Sequence, residues 1–257
     1  MSRFSAESWR LTLAPDAWHL AGADASVVVP VGDDPAGALD ALATLGDRTP
    51  VRKGRLAVEI ADAWLRYLVI EWPLGLRGGA ERAAWVSERF RAVHGVDAAE
   101  WVLGVDRAAQ GTAALTSAAP RALIDAVTRF AGERRMRLTS LQGRFVAGYN
   151  RLRTGSYVVL DADLCADLGA FGLCRDGRLT LGMWAGGQWC RVRSLRVADG
   201  DAAPLLVRTL AGWLPAVTAE PGQPGGAGKV LVQGVDVERL MGTLPEGWRA
   251  QACGEIA

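Results

Sequence analysis

The stretch Arg55–Pro73, RLAVEIADAWLRYLVIEWP, constrains this chain more than any other. Its first arm alternates, with Leu56, Val58 and Ile60 on one side and Arg55, Ala57 and Glu59 on the other. That is the period of a half-buried strand. Its second arm, Trp64 to Trp72, is apolar at nearly every position except Arg66 and Glu71, as in a strand covered on both faces. Pro73 has no N–H to donate and ends the ladder. We read the two arms as a hairpin turned at Ala61–Ala63. A pair this apolar needs helices on both of its faces, so the expected class is α/β. Half of the 257 residues are hydrophobic, enough for a sizeable core.

The rest of the chain supplies the partners. Trp9–Ala14 and Ala17–Ala21 predict a hairpin turned at Pro15–Asp16, with Val27–Val31 a further strand. Asp33 or Asp34 can cap a helix that Pro35 opens. AERAAWVSERFRAVHG predicts a helix with Val86, Phe90 and Val93 on its core face and Gly95 as its stop. Trp101–Asp106 and Thr112–Ala118 predict a second hairpin, Pro120 opens a helix with Leu123, Val127 and Phe130 on one side, and Arg137–Leu141 and Phe145–Leu152 follow as strand and helix. In the second half YVVLD, Leu164–Cys174, Arg178–Trp184 and Gln188–Val192 read as strands. Asp176-Gly177 and Gly186-Gly187 are strong hairpin turns. Ala202–Trp213 is a helix, Lys229–Gln233 a buried strand, and Asp236 caps a further helix through Met241. Hairpins feed helices in both halves, which suits two similar α/β lobes, residues 1–153 and 154–257. A doubly wound chain or a barrel would alternate single strands with helices.

Charge narrows the function. There are 29 basic and 28 acidic residues, a net +1, so a nucleic-acid partner has no electrostatic footprint to bind. Cys165, Cys174, Cys190 and Cys253 show no CxxC spacing, which argues against a zinc site or disulfide framework and fits reduced cytoplasmic thiols. The N-terminus lacks the apolar core of a secretory signal, and no run of about 18 apolar residues could span a membrane.

From Leu56 to Arg153 the chain resembles the actin-like ATPase superfamily. Within it the chain is similar to the PilM proteins of type IV pili and the cytoplasmic part of the type II secretion L-protein. The resemblance rests on LAVEIADAWLRYLVIEWP, AERAAWVSERFRAVHG, WVLGVD, ALTSAAPRALIDAVTRFAGERRMRLTSLQG and FVAGYNRLR, with YVVLDAD adding to it. It implies two RNase H-like lobes of actin-like (ASKHA) architecture, mixed sheets flanked by helices. It also implies phosphate held in two glycine-rich hairpin turns, where Gly lets backbone N–H groups approach and Asp positions magnesium.

Those turns are degraded here. Glu59–Trp64, read as the first, has no Gly, Ser or Thr. Asp161–Cys165, read as the second, keeps Asp161 and Asp163 but no Gly or Thr, and of an adenosine-side Gly-Gly only Gly234 remains. If any cofactor-binding residues persist, they are Asp161, Asp163 and Gly234, as vestiges; the two Asp read first as turn residues at a strand end, because no phosphate cradle accompanies them. Glu59 is expected on the exposed face of its strand. No catalytic residue and no metal ligand set emerges. His19 and His94 accompany no nucleophile motif and read as surface residues, His94 as a cation at a helix C-terminus.

Ten Trp are spread along the chain. Most suit core packing; Trp85, off the core face and flanked by Arg82 and Arg89, is the candidate for an interaction patch. The expected role is a non-catalytic adaptor or scaffold of a type IV pilus or type II secretion-like assembly platform. It would be cytoplasmic, peripheral to the inner membrane through its partners, monomeric or weakly dimeric, and without a cofactor. It would bind an inner-membrane assembly-platform protein's tail or an assembly ATPase. A secretion L-protein continues into a transmembrane helix and this sequence does not, which is expected of a PilM-like soluble subunit or a split system. The alternatives are a nucleotide-binding actin-like ATPase or sugar-kinase-like enzyme using ATP and magnesium, and an unrelated enzyme with Asp161 and Asp163 on a metal.

Overall fold

A computed structural model describes residues 8–31, 35–49, 53–76, 78–153, 168–198, 201–218 and 227–254. Their contacts divide them into two compact units. The first comprises Met1–Leu65, Asp97–Val102 and Ala118–Ala147; the second comprises Arg66–Val96, Leu103–Ser117 and Gly148–Ala257. The lobe boundary expected after residue 153 falls at the start of 154–167, outside the described residues.

The first unit is built on a five-stranded mixed sheet. β1 (Ser8–Leu13), β2 (Ala17–Ala21) and β3 (Ser26–Pro30) form an antiparallel meander. β4 (Gly54–Ile60) then lies parallel to β1 on its other side. With β8 (Met136–Gly143) at its edge, the strand order is β3-β2-β1-β4-β8. Leu11, Leu13, Trp18, Leu20, Leu56 and Ile60 are fully buried by alternation along these strands, each such side chain contributing about 1.5–3 kcal/mol. The helix α1 (Pro35–Arg48) buries Leu42 and Leu45.

The expected hairpin across Ala61–Ala63 does not form. β4 pairs with β1 and β8 (Met136–Gly143), both parallel. β5 (Arg66–Glu71) belongs to a separate three-stranded sheet, beside β7 (Ala113–Pro120), which in turn neighbours β6 (Trp101–Val105). A single 3₁₀ turn, Asp62–Trp64, joins the two strands. Alternation marks the first as a strand and a near-continuous apolar run marks the second, but no Gly or Asn supplies the positive φ that a tight reversal requires.

β6 (Trp101–Val105) and β7 (Ala113–Pro120) do neighbour each other, as expected. α2 (Gly79–His94) packs on β5 through Val86 and Phe90 and stops at Gly95, in the left-handed region at φ 67°. Val93, expected on the core face, is exposed, because burial follows the i, i+4 spacing of 86 and 90. α3 (Arg121–Glu133) buries Leu123, Val127 and Phe130, and α4 (Arg144–Arg153) follows β8 directly.

The second unit contains a sheet of the same order: β11 (Gln188–Arg196), β10 (Arg178–Ala185), β9 (Gly169–Arg175), β12 (Gly228–Gln233), β13 (Trp248–Ala252). Again the first three strands are an antiparallel meander and the last two run parallel to the first. Asp176 and Gly177, then Gly186 and Gly187, all have positive φ, the two-residue turns read from the sequence. Leu179, Leu181 and Met183 on one face of β10 share a core with Leu206 and Leu210 of α5 (Ala203–Thr218). The other face carries Trp184, which packs with Tyr149 and Trp189. Residues 236–241, expected as a helix, instead belong to a run of hydrogen-bonded turns. Asp236 still caps them, accepting from the Glu238 N–H at 3.0 Å.

Candidate functional site

In a sheet with parallel strands, ligand sites form outside the strands' carboxyl ends, at the point where neighbouring connections diverge. In the first unit that place is where β1, β4 and β8 finish. The Ala61 N–H donates to the Leu13 carbonyl at 2.8 Å, tying two of these ends together. Past them stand Glu59, Asp62 and Arg144.

Arg144 opens α4, where a cation opposes the helix dipole. It is nevertheless buried, its side chain only 5% exposed, and its Nε donates to Glu59 Oε1 at 3.2 Å. Glu59 therefore does not lie on an open face, as its alternation suggested; its side chain is 16% exposed and ion-paired. Asp62, also buried, accepts the Phe145 N–H on Oδ1 at 3.1 Å and so caps α4. This capping meets one of the orphan donors of the helix start. The carboxylates at the strand ends are thus engaged by the chain's own cation and main chain. Arg144 went unnoticed in the sequence, although a cation in the first turn of a helix is itself a signal that an anion must lie opposite.

The hairpin turns show how little of a phosphate cradle exists among the described residues. The β1–β2 turn runs through Ala14, Pro15 and Asp16, closed by the Ala14 N–H on the Ala17 carbonyl at 3.2 Å. Pro15 has no N–H to offer, and the turn has no Gly, Ser or Thr. Glu59–Trp64, read as such a turn from the sequence, is the link between two sheets. Asp161 and Asp163 lie outside the described residues. Gly234 ends β12 at φ 70°, and a Cβ there would collide with the Cys174 carbonyl; close main-chain approach accounts for this glycine without any nucleotide. No group of three or more His, Cys, Asp or Glu suited to a metal occurs among the described residues.

Arg82, Trp85 and Arg89 do come together on α2. Trp85 is half-buried and its indole N–H donates to the Glu71 carbonyl at 3.1 Å. Arg89 stacks over the Trp85 ring at 5.7 Å, and Arg82 over Trp72 at 5.6 Å. No Trp of the chain is exposed, which supports packing for the set as a whole. His94 is half-buried against Phe90; burial, then the nearby Arg66, lower its pKa despite the opposing effect of the hydrogen bond that its ring donates to the Tyr67 backbone carbonyl. Burial thus works against the helix-end cation that the sequence suggested. His19 bonds Ser26 Oγ at 2.6 Å.

No protein-family model and no curated protein sequence matches the chain. Solved structures do. A Bacteroides thetaiotaomicron protein of actin-like ATPase fold and unknown function is similar over 98% of this chain and 94% of its own, with TM-score 0.61 and 12% identity. The PilM-PilN type IV pilus biogenesis complex is similar over 96% of this chain and 88% of its own, with TM-score 0.57 and 15% identity. The cytoplasmic domain of EpsL, an inner-membrane component of the Vibrio cholerae type II secretion system, is similar over 97% of this chain and 91% of its own, with TM-score 0.49 and 13% identity. Two mixed sheets of one strand order, and the likeness to the first two of these structures over nearly the whole chain, give the conclusion that the sequence resemblance implied: the chain has the actin-like ATPase fold.

Proposed function

We propose that this protein is a non-catalytic adaptor of a type IV pilus or type II secretion-like assembly platform. In this reading it is cytoplasmic, held at the inner membrane by its partners, and it binds the tail of an inner-membrane protein or an assembly ATPase. One observation carries the reading. The Glu59–Arg144 pair and the Asp62 cap occupy the strand ends where the fold places ligand chemistry. A magnesium-bound phosphate would need those carboxylates and a glycine turn, and the β1–β2 turn offers Pro15 in its place. The fold likeness to the PilM-PilN complex supports the choice of machine. Among the described residues no helix is long and apolar enough to cross a membrane.

The test is a calorimetric titration of the whole chain with ATP and magnesium, paired with a phosphate-release assay. We expect neither saturable heat below millimolar nucleotide nor turnover. Micromolar binding with hydrolysis would replace the adaptor with the nucleotide-dependent enzyme. Binding without hydrolysis would leave an adaptor that senses nucleotide.

A further inference from the structure

Between α1 and α3 of the first unit lies a groove of ≈ 620 Å³, within the range of roughly 300–1,000 Å³ typical of ligand sites. Its floor is apolar, with Leu42 and Phe130 both buried and Leu39 beside them. Its walls are low. Ala43 on α1, and Ala122 and Ala126 one turn apart on α3, stop at Cβ and leave the space that larger side chains would fill. One end is shut by Arg134, whose guanidinium stacks on Phe130 at 4.7 Å. Gly46 makes room for it, since a Cβ there would strike the guanidinium. The rim is acidic: Asp40 and Asp47 from α1, Asp125 and Glu133 from α3, against Arg129 and Arg134. Arg134 lies 3.9 Å from Glu133.

An apolar trough with two surplus negative charges fits a segment of opposite pattern. We infer that the α1–α3 groove docks a cationic amphipathic segment of a membrane protein, its apolar residues seated over Leu42 and Phe130 and its Lys or Arg side chains on the acidic rim. This rests on the adaptor reading and gives it a place. The segments of inner-membrane proteins that remain on the cytoplasmic side carry an excess of Lys and Arg, the complement of this rim. Apolar side chains filling the space above Ala43 and Ala126 would supply affinity, and the rim would supply orientation and on-rate.

The probe is a synthetic 18-residue amphipathic peptide with Leu at helical spacing and Lys elsewhere, beside the same peptide with every Lys replaced by Glu. Fluorescence anisotropy with the whole chain should show the Lys peptide binding at least about tenfold tighter than the Glu peptide, with the difference shrinking at high salt. Ala126→Trp, which fills the trough, should weaken the Lys peptide about tenfold or more. In the double variant Asp40→Lys/Asp125→Lys the preference should invert. A gain of Glu-peptide binding cannot come from misfolding, so this arm holds even if the Trp variant is unstable. Equal binding of both peptides, no binding of either, or Lys-peptide binding that neither variant alters would overturn the groove assignment. None of these results depends on nucleotide, so the adaptor reading is judged separately by the ATP titration.

Discussion

Replacing Arg144 by Met tests the claim that the strand-end charges serve the fold. The substitution keeps a long apolar stem but removes the cation paired with the half-buried Glu59. Breaking a buried ion pair by removing one partner costs about 3–5 kcal/mol. The Glu59 side chain keeps 16% exposure and regains some hydration, so the lower end, about 3 kcal/mol, is expected. For a chain of this size about 1 kcal/mol moves the melting temperature about 2–4 °C, giving a drop of about 6–12 °C. The double replacement Glu59→Leu/Arg144→Met removes both charges. It should sit within about 1 kcal/mol of wild type, because a buried pair and an apolar pair of similar volume are often nearly equivalent. Urea melts followed by circular dichroism give the four corners of the cycle, with a coupling of about 2 kcal/mol or more. A loss below about 1 kcal/mol for Arg144→Met would refute the reasoning. So would a double variant as unstable as the two single losses summed.

Gly234→Ala should destabilise by about 2 kcal/mol or more through its positive φ and its collision with the Cys174 carbonyl, read as a lower urea midpoint. Cys253 is buried, which pushes its thiol up to about 11; at pH 8 a thiol reagent should label it only at the rate at which the chain opens, and fast labelling in the native state would contradict this burial. Stability should also depend on His94. Its folded pKa lies below the ordinary value of 6.5, so below about pH 7 the unfolded chain takes up a proton that the folded chain refuses. Stability then falls with pH and levels off below the folded pKa. Urea midpoints from pH 5 to 8 should show this slope in wild type and a shallower one in His94→Gln.

Much of the fold was readable where one side chain decides one local event. Gly95 stops α2, Asp176-Gly177 turns β9 into β10, and Leu123, Val127 and Phe130 mark the buried face of α3. What alternation cannot reveal is the neighbour of a strand. Leu56, Val58 and Ile60 announce burial, yet nothing in them distinguishes β5, six residues on, from β8, more than seventy residues away. The site failed for the same reason. Glu59 and Asp62 are visible as acids near a strand end, but their partners Arg144 and the Phe145 N–H arrive from the far side of the chain. Helical spacing sets Trp85 apart from Val86 and Phe90, but its bond to the Glu71 carbonyl depends on the packing of α2 on β5, which spacing does not reveal.

The parallel pairing of β4 with β8 has a consequence during synthesis. Thr139 Oγ1 donates to the Leu56 carbonyl across 83 positions of chain. At about 5–20 residues per second, one side of β4 waits about 4–17 s on the ribosome for the strand that will cover it. Through that interval an apolar strand with open main-chain groups is a template for any passing β-segment. Slowed translation within residues 66–135, or a shortage of chaperone, should therefore lower the yield of native protein more than an equal delay after Gly143.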